Sequence, residues 1–516
     1  MAHDSRDLDA RRRRRRRQRK GSLRPSVSRT VSRSLLALAA LYLAAILIVP
    51  ALVPPPHPVG LAGAPRPLED ARYLVDDSWL DAEGERRLEQ TIFDEVLTMI
   101  AGARRLVHLD LFLFNDWQGP ILENNRALAD ELTAALVAAR VARPELSVVL
   151  VTDPINTVYG GLPSPRLERL RAAGVEVVLT DLVPLQDSNR LWSGFWRWFV
   201  RPFGNAPGGH LPNPLGPGRV TARSWLALAN FKANHRKLIV ADDGAGSWRA
   251  LVTSANPHDG SSAHRNTALA FGGAAALDLL AAERALLALC GADAAIARLD
   301  AALAAVPRPA AAGRPAAPEE PTAATVQVLG ERRIEEAALA LIGRAGRGDR
   351  IDLAMFYLAD RDVVGALIDA SGRGARVRAL LDINADAFGR AKNGVPNRPV
   401  AAELVRAGVA VRWCATRGEQ CHAKQLYVGS GARHALLLGS GNFTRRNLHD
   451  LNLETDVRVE MAAGTPLAIE ARAHFDRLWN NTDGRTYSLD YETHADEGAW
   501  LKLQYRTMEA TGLSTF

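Results

Sequence analysis

Two short patterns carry the chemistry open to this sequence. His235-Arg236-Lys237 is followed by Ser254-Ala255-Asn256, 19 residues from His to Ser, and His422-Ala423-Lys424 by Ser440-Gly441-Asn442, 18 residues from His to Ser. In each copy a further Asn, Asn266 or Asn452, recurs ten positions past the last Asn of the pattern. Each His-x-Lys opens or precedes an apolar run, Leu238-Ile239-Val240 or Leu426-Tyr427-Val428, that reads as a strand. Residues two apart on a strand share a face, so the His and Lys of each copy point the same way. A duplicated fold then brings two imidazoles, two ammoniums and two amides to one place. That set suits attack on a phosphodiester. A neutral imidazole serves as nucleophile at phosphorus and a protonated one as acid for the leaving alcohol, while Lys and Asn donors hold the non-bridging oxygens. This chemistry calls for no metal and no cofactor, and no carboxylate/His grouping with metal-ligand spacing surrounds the motifs.

These residues resemble the phospholipase D superfamily, whose motif is His-x-Lys, four residues, Asp, and then a Gly/Ser-Ser-x-Asn turn. The first copy fits through Asp242, with Thr253 where Gly often stands; the second has Gly439-Ser440-Gly441-Asn442 but Gly429 in place of the Asp. An Asn-x-Glu element follows in the family. Asn452-Leu453-Glu454 fits it, and Asn266-Thr267-Ala268 lacks the acid. The resemblance covers most of the chain after about residue 80 and implies a two-step reaction through a phosphohistidine. It assigns the site to His235, Lys237, Asp242 and Asn256 of one half and to His422, Lys424, Asn442 and Glu454 of the other. In relatives the orienting carboxylate can come from the opposite half. Glu454 then orients His235 as nucleophile and leaves His422 as acid, whereas pairing within each half swaps the roles. The complete His-Lys-Asp set favours His235.

The elements that must position these groups alternate. Helical patterns over Glu85–Ala101, Leu122–Arg140 and Arg166–Ala173 interleave with strand patterns over Leu106–Phe114, Leu146–Thr152 and Val175–Leu179. The second half repeats them, with helices over Glu335–Arg344, Asp362–Ile368 and Ala402–Ala407 and strands over Ile351–Leu358, Val377–Asp382 and Val409–Trp413. Alternation of this kind predicts α/β sheets. The fold expected is two duplicated phospholipase D-like α/β halves, 80–305 and 326–490, packed about a pseudo-twofold axis with the site at their junction. A Pro-rich linker, 306–325, joins the halves, and 491–516 reads as a C-terminal tail.

The net charge of +7 misleads about partners, because residues 1–34 hold 13 Lys/Arg against three Asp and leave the remainder at −3. A slightly acidic body argues against a nucleic-acid binder. The basic segment precedes an almost wholly apolar run, 35–53, which predicts a transmembrane anchor with a cytoplasmic N-terminus, a linker over 54–79 and a catalytic body outside. A cleavable signal ending near Ala62-Gly63-Ala64 is the competing expectation. Cys414 and Cys421 flank a short loop just before His422 and could be bridged in an oxidising compartment; two free thiols are the alternative.

An insertion, 182–223, breaks the symmetry and carries Trp192, Phe195, Trp196, Arg197 and Trp198. Trp and Phe with interleaved Arg predict a lipid interface, the alternatives being a packed aromatic cluster or a surface that stacks nucleobases. The combined reading is a phospholipase D-like phosphodiesterase or phosphatidyltransferase, cardiolipin-synthase-like. Its substrate would be a phospholipid in a membrane and its acceptor water or an alcohol. An exported single-strand exonuclease and a tethered binding protein with a relic site are the rivals. Oligomeric state is left open.

Overall fold

The structure, a computed structural model, describes residues 25–52, 60–119, 125–305, 323–387, 390–514 and 516. Each half is built on one large mixed sheet. In the first, the strands run spatially in the order Arg86–Glu89, Arg72–Leu80, Asn266–Gly272, Trp248–Thr253, Lys237–Asp242, Leu106–Leu111, Ser147–Thr152 and Glu176–Leu179. The last three are parallel, because helices Leu128–Ala142 and Pro165–Ala172 carry the chain back between them. The rest form an antiparallel meander. The second sheet repeats this order with Thr325–Gly330, Thr455–Ala462, Arg433–Gly439, Lys424–Ser430, Arg350–Met355, Arg376–Leu381 and Ala410–Cys414. The duplication read from two motifs thus extends to the whole topology.

The sheets pack face to face. Leu238, Val240, Val252 and Leu269 of the first share one buried cluster with Leu436, Leu438, Val457 and Val459 of the second. The opposite face of each sheet is covered by its own helices. The central strands are buried on both faces, as Leu106–Leu111 is, its His108 and Asp110 included. Two short parallel bridges stitch the halves: Asn234 lies beside Leu453, and Arg265 beside Cys421.

Several expectations need correction. Only Ile92–Gly102 of the stretch 85–101 is helical, because Arg86–Glu89 alternates and pairs with Asp77–Leu80. Asp76 then accepts the N–H groups of Thr91 and Ile92 and starts the helix there. The linker 54–79 contains strands Arg66–Pro67 and Arg72–Leu80, whose Tyr73 and Leu74 are buried. The tail 491–516 contains helix Ala499–Thr511, docked by the Tyr505 hydroxyl on Ala359 O at 2.7 Å. Most of the linker 306–325 and residues 1–24 of the basic segment lie outside the described residues.

The transmembrane anchor over 35–53 is not supported. The backbone is helical over Pro25–Leu52, but among the described residues no helix is long and apolar enough to cross a membrane. Tyr42 of this helix instead lies 6.2 Å from the Phe199 ring and reaches Leu191 O.

Candidate active site

The stitching between the halves decides which groups meet. His235 N–H donates to Leu453 O at 2.9 Å, and the next residue on that strand is Glu454. Its carboxylate receives His235 Nδ1 at 3.0 Å. On the other side His422 N–H donates to Arg265 O at 2.8 Å, and the next residue is Asn266, whose Oδ1 lies 3.1 Å from His422 Nδ1. Each histidine is therefore oriented by the opposite half, one by a carboxylate and the other by an amide. The equivalent of Glu454 is Asn266, which occupies the same place beside its own serine. Ser254 Oγ bonds Asn266 Oδ1 at 3.0 Å, and Ser440 Oγ bonds Glu454. Asn447 Nδ2 donates to the second oxygen of Glu454.

The remaining groups obey the same pseudo-twofold relation. Lys237 Nζ bonds His235 O at 2.6 Å and Lys424 Nζ bonds His422 O at 2.8 Å. Phe112 lies 4.8 Å from the His235 ring and 5.0 Å from Lys237 Nζ; Phe356 lies 4.9 Å from the His422 ring and 5.1 Å from Lys424 Nζ. Asp153 accepts Asn234 N–H and Asp382 accepts Cys421 N–H, both at 2.7 Å, fixing the approach to each histidine. Among the described residues Asn442 Oδ1 is buried without a partner, and Asn256 Oδ1 accepts a long 3.4 Å bond from Leu113 N–H. Cys414 and Cys421 are bridged and close the loop that leads into His422.

Burial dominates the electrostatics. It pushes both imidazoles well below their ordinary value, and the ammoniums of Lys237 and Lys424 add to the shift. It lowers Lys237 to about 7 against the pull of Glu454, Asp110 and Asp153, and lowers Lys424 well below the usual range with Lys237 adding to it. Glu454 is raised to about 7 by burial and Asp456 to about 8. A pocket of crowded, desolvated cationic groups favours an anion, whose arrival replaces mutual repulsion with attraction.

Asp242 does not join this set. It ends the strand that His-x-Lys begins, five residues beyond Lys237 and so roughly 16 Å along the chain. Its carboxylate accepts the N–H groups of Arg104, Arg105 and Leu106. The insertion also differs in part. Phe195 and Trp198 are exposed on helix Arg190–Phe199, but Trp192 and Trp196 are half-buried, with Trp192 Nε1 on Leu226 O at 2.9 Å. Arg197 turns inward to Asp187 at 2.9 Å and is not the outward phosphate contact expected.

Sequence reasoning missed Phe112, Phe356, Asp153, Asp382, Asn447 and the pairing of Asn266. A usable signal existed for the first four. Phe112 and Phe356 immediately follow equivalent strands, Leu106–Leu111 and Arg350–Met355, and the two Asp residues follow Ser147–Thr152 closely and Arg376–Leu381 directly. It also missed a group outside the site: Glu335, Asp360, Asp362 and His449 bring their ligand atoms within 4.8 Å of one another. There His449 Nε2 lies 2.9 Å from Asp360 and 3.3 Å from Glu335, which hold the imidazole up to about 10 as an ion pair.

Two half-sites, each a His-x-Lys strand end oriented across a pseudo-twofold junction, define a duplicated phosphate-handling α/β protein. The family described as "Cardiolipin synthase, PLD-like domain" matches residues 339–479, a stretch that lies within the second half. Among solved structures, phosphatidylserine synthase of Haemophilus influenzae Rd KW20 aligns over 86% of this chain and 94% of its own at 11% identity and a TM-score of 0.52, a likeness of fold. Polyphosphate kinase of Porphyromonas gingivalis aligns over 86% of this chain at 15% identity and a TM-score of 0.41, and this chain spans about half, 53%, of its length. The phospholipase D family member Nuc of Salmonella typhimurium aligns over 33% of this chain and 98% of its own at 23% identity and a TM-score of 0.26. No curated protein matches the sequence.

Proposed function

We propose that this protein is a phosphatidyltransferase or phospholipid phosphodiesterase that works through a phosphohistidine on His235. The observation that carries the assignment is the asymmetry of the orienting groups. Glu454 fixes the proton on Nδ1, leaves the Nε2 lone pair for phosphorus, and stabilises the positive charge that attack creates. Asn266 fixes the orientation of His422 without adding charge, which suits a group that must give its proton away. In the first step the bond from His235 Nε2 to phosphorus forms as the phosphorus–oxygen bond to the leaving alcohol breaks, and His422 protonates that oxygen. In the second, His422 takes a proton from water or an acceptor alcohol, whose oxygen displaces His235. Lys237, Lys424, Asn256 and Asn442 hold the non-bridging oxygens throughout.

A phospholipid substrate is supported by the cardiolipin synthase, PLD-like domain match and by the exposed apolar surface of the insertion. Leu191, Trp198, Phe199 and Phe203 are 58 to 72% exposed and adjoin helix Pro25–Leu52, whose Leu35, Leu36, Leu38 and Leu41 are equally uncovered. A patch of this kind, next to a strongly basic N-terminal sequence, suits the surface of an anionic bilayer. Assay of the purified chain on labelled phospholipids with and without glycerol tests the reading. Phosphatidyl transfer or headgroup release supports it, whereas degradation of single-stranded DNA with no action on lipid overturns it.

A further inference from the structure

Behind the aromatic helix lies a cavity of about 290 Å³, separate from the two histidines but built on the same supports. Its walls include Tyr159, Leu179, Leu182, Val183, Trp196 and Ala227. Trp196 comes from helix Arg190–Phe199, whose outer face carries the exposed Leu191, Trp198 and Phe199, so that helix roofs the cavity on one side and meets solvent on the other. Thr180, another lining residue, accepts Asn234 Nδ2 at 2.9 Å, and Pro154 follows the Asp153 that holds Asn234 N–H. The cavity wall is thus joined to the residue just before His235.

The charges lining the cavity are spent on one another. Asp187 pairs with Arg197 at 2.9 Å and with Lys232 at 2.7 Å, and Lys232 Nζ also donates to Leu185 O at 2.5 Å. With Asp181 the four formal charges cancel. Among the described lining residues only one buried side-chain oxygen, Asn230 Oδ1, has no partner. A phosphate would find no free cationic set here. An apolar chain needs none, and the volume is near the lower end of roughly 300–1,000 Å³ usual for ligand pockets, as befits a single chain rather than a whole lipid.

We propose that this cavity binds one acyl chain of the lipid whose phosphodiester reaches His235 and His422, with the chain entering beneath helix Arg190–Phe199. The inference rests on the phospholipid reading above. It is tested on the full chain with phosphatidylglycerol bearing a diazirine near the end of one acyl chain, and with a dibutanoyl analogue of the same headgroup. Photolysis is expected to label Leu182, Val183 or Ala227. Ala227→Phe and Val183→Phe, which each add a ring at a lining position, are each expected to cut that labelling at least tenfold. Each should also lower the ratio of long-chain to short-chain kcat/KM at least tenfold. Labelling confined to residues 191–203 or to sites outside the cavity, or a chain-length ratio unchanged in both variants, overturns the proposal. If the wild type cleaves neither diester the enzymatic reading falls, while the labelling pattern still decides whether the cavity takes an acyl chain.

Discussion

Replacing Glu454 by Gln isolates the asymmetry on which the assignment of roles depends. The carboxylate takes donors from three sides: His235 Nδ1 at 3.0 Å, Ser440 Oγ and Asn447 Nδ2. Gln keeps the shape but has a single acceptor oxygen. Asn447 Nδ2, which can only donate, takes that oxygen at the Oε1 position; the new NH₂ then stands at the Oε2 position, between the Ser440 hydroxyl, which can accept, and His235 Nδ1. His235 Nδ1 must then accept, its proton moves to Nε2, and the lone pair that attacks phosphorus is gone. The analogous wrong-tautomer substitution in a serine-protease triad costs about 10⁴ in kcat, roughly 5 kcal/mol of barrier. We expect a loss of 10³ to 10⁴ in kcat for Glu454→Gln on a soluble phosphodiester such as bis(p-nitrophenyl) phosphate. Asn266→Ala, which removes a neutral partner from His422, should cost nearer tenfold. Melting curves on both variants separate this from misfolding. A folded Glu454→Gln protein within tenfold of wild type, or a larger loss for Asn266→Ala, would refute the argument.

Three further outcomes follow from the geometry. Lys237 titrates near 7 in the free protein and must be charged to hold phosphate, while Glu454, also near 7, must be ionised to orient His235. His422 and Lys424 must also carry their protons and are held well below their ordinary values, so kcat/KM should be bell-shaped with its maximum at or below neutral, falling at least about tenfold per unit well above it, and a flat profile to pH 9 would exclude this. The triple change Leu191→Ser, Trp198→Ser, Phe199→Ser removes exposed rings and should weaken binding to anionic vesicles more than tenfold with the melting temperature held, whereas unaltered binding would show that the patch does not meet lipid. Asp242→Ala strands four backbone N–H groups, those of Arg104, Arg105, Leu106 and Gly244, each worth roughly 1–3 kcal/mol when left unsatisfied, so it should lower the melting temperature far more than kcat; the reverse pattern would return Asp242 to the site.

The meeting of the two His-x-Lys pairs was legible because strand geometry and duplication reinforce each other: two such pairs in register mean two strand ends, and strands of equal rank in a repeated sheet meet about an axis. Glu454 was legible as a candidate, but its partner was open because backbone bridges between the halves, not spacing within one, place it beside His235. Counting from the Ser-x-Asn turns aligned Asn266 with Asn452. The fold aligns it with Glu454, because the connection in the second half, with the turn Arg445–Leu448 where the first has Asp259–Ser261, is two residues longer. Asp242 matched a motif position and failed because a six-residue strand carries it to the far end of the sheet. Arg197 read as an interfacial cation, since sequence does not disclose the buried Asp187 that captures it. The helix over the apolar N-terminal run was visible in composition, its contact with Phe199 was not.

The central claim is that phosphorus becomes bonded to His235 of the first half. The direct measurement is mass-spectrometric mapping of the acid-labile adduct trapped from a phosphodiester substrate in wild type, His235→Ala and His422→Ala. We expect the adduct on the peptide containing residue 235, absent in His235→Ala and accumulating in His422→Ala when the substrate carries a leaving group that needs no acid. An adduct on His422, or full turnover in His235→Ala, would contradict the account.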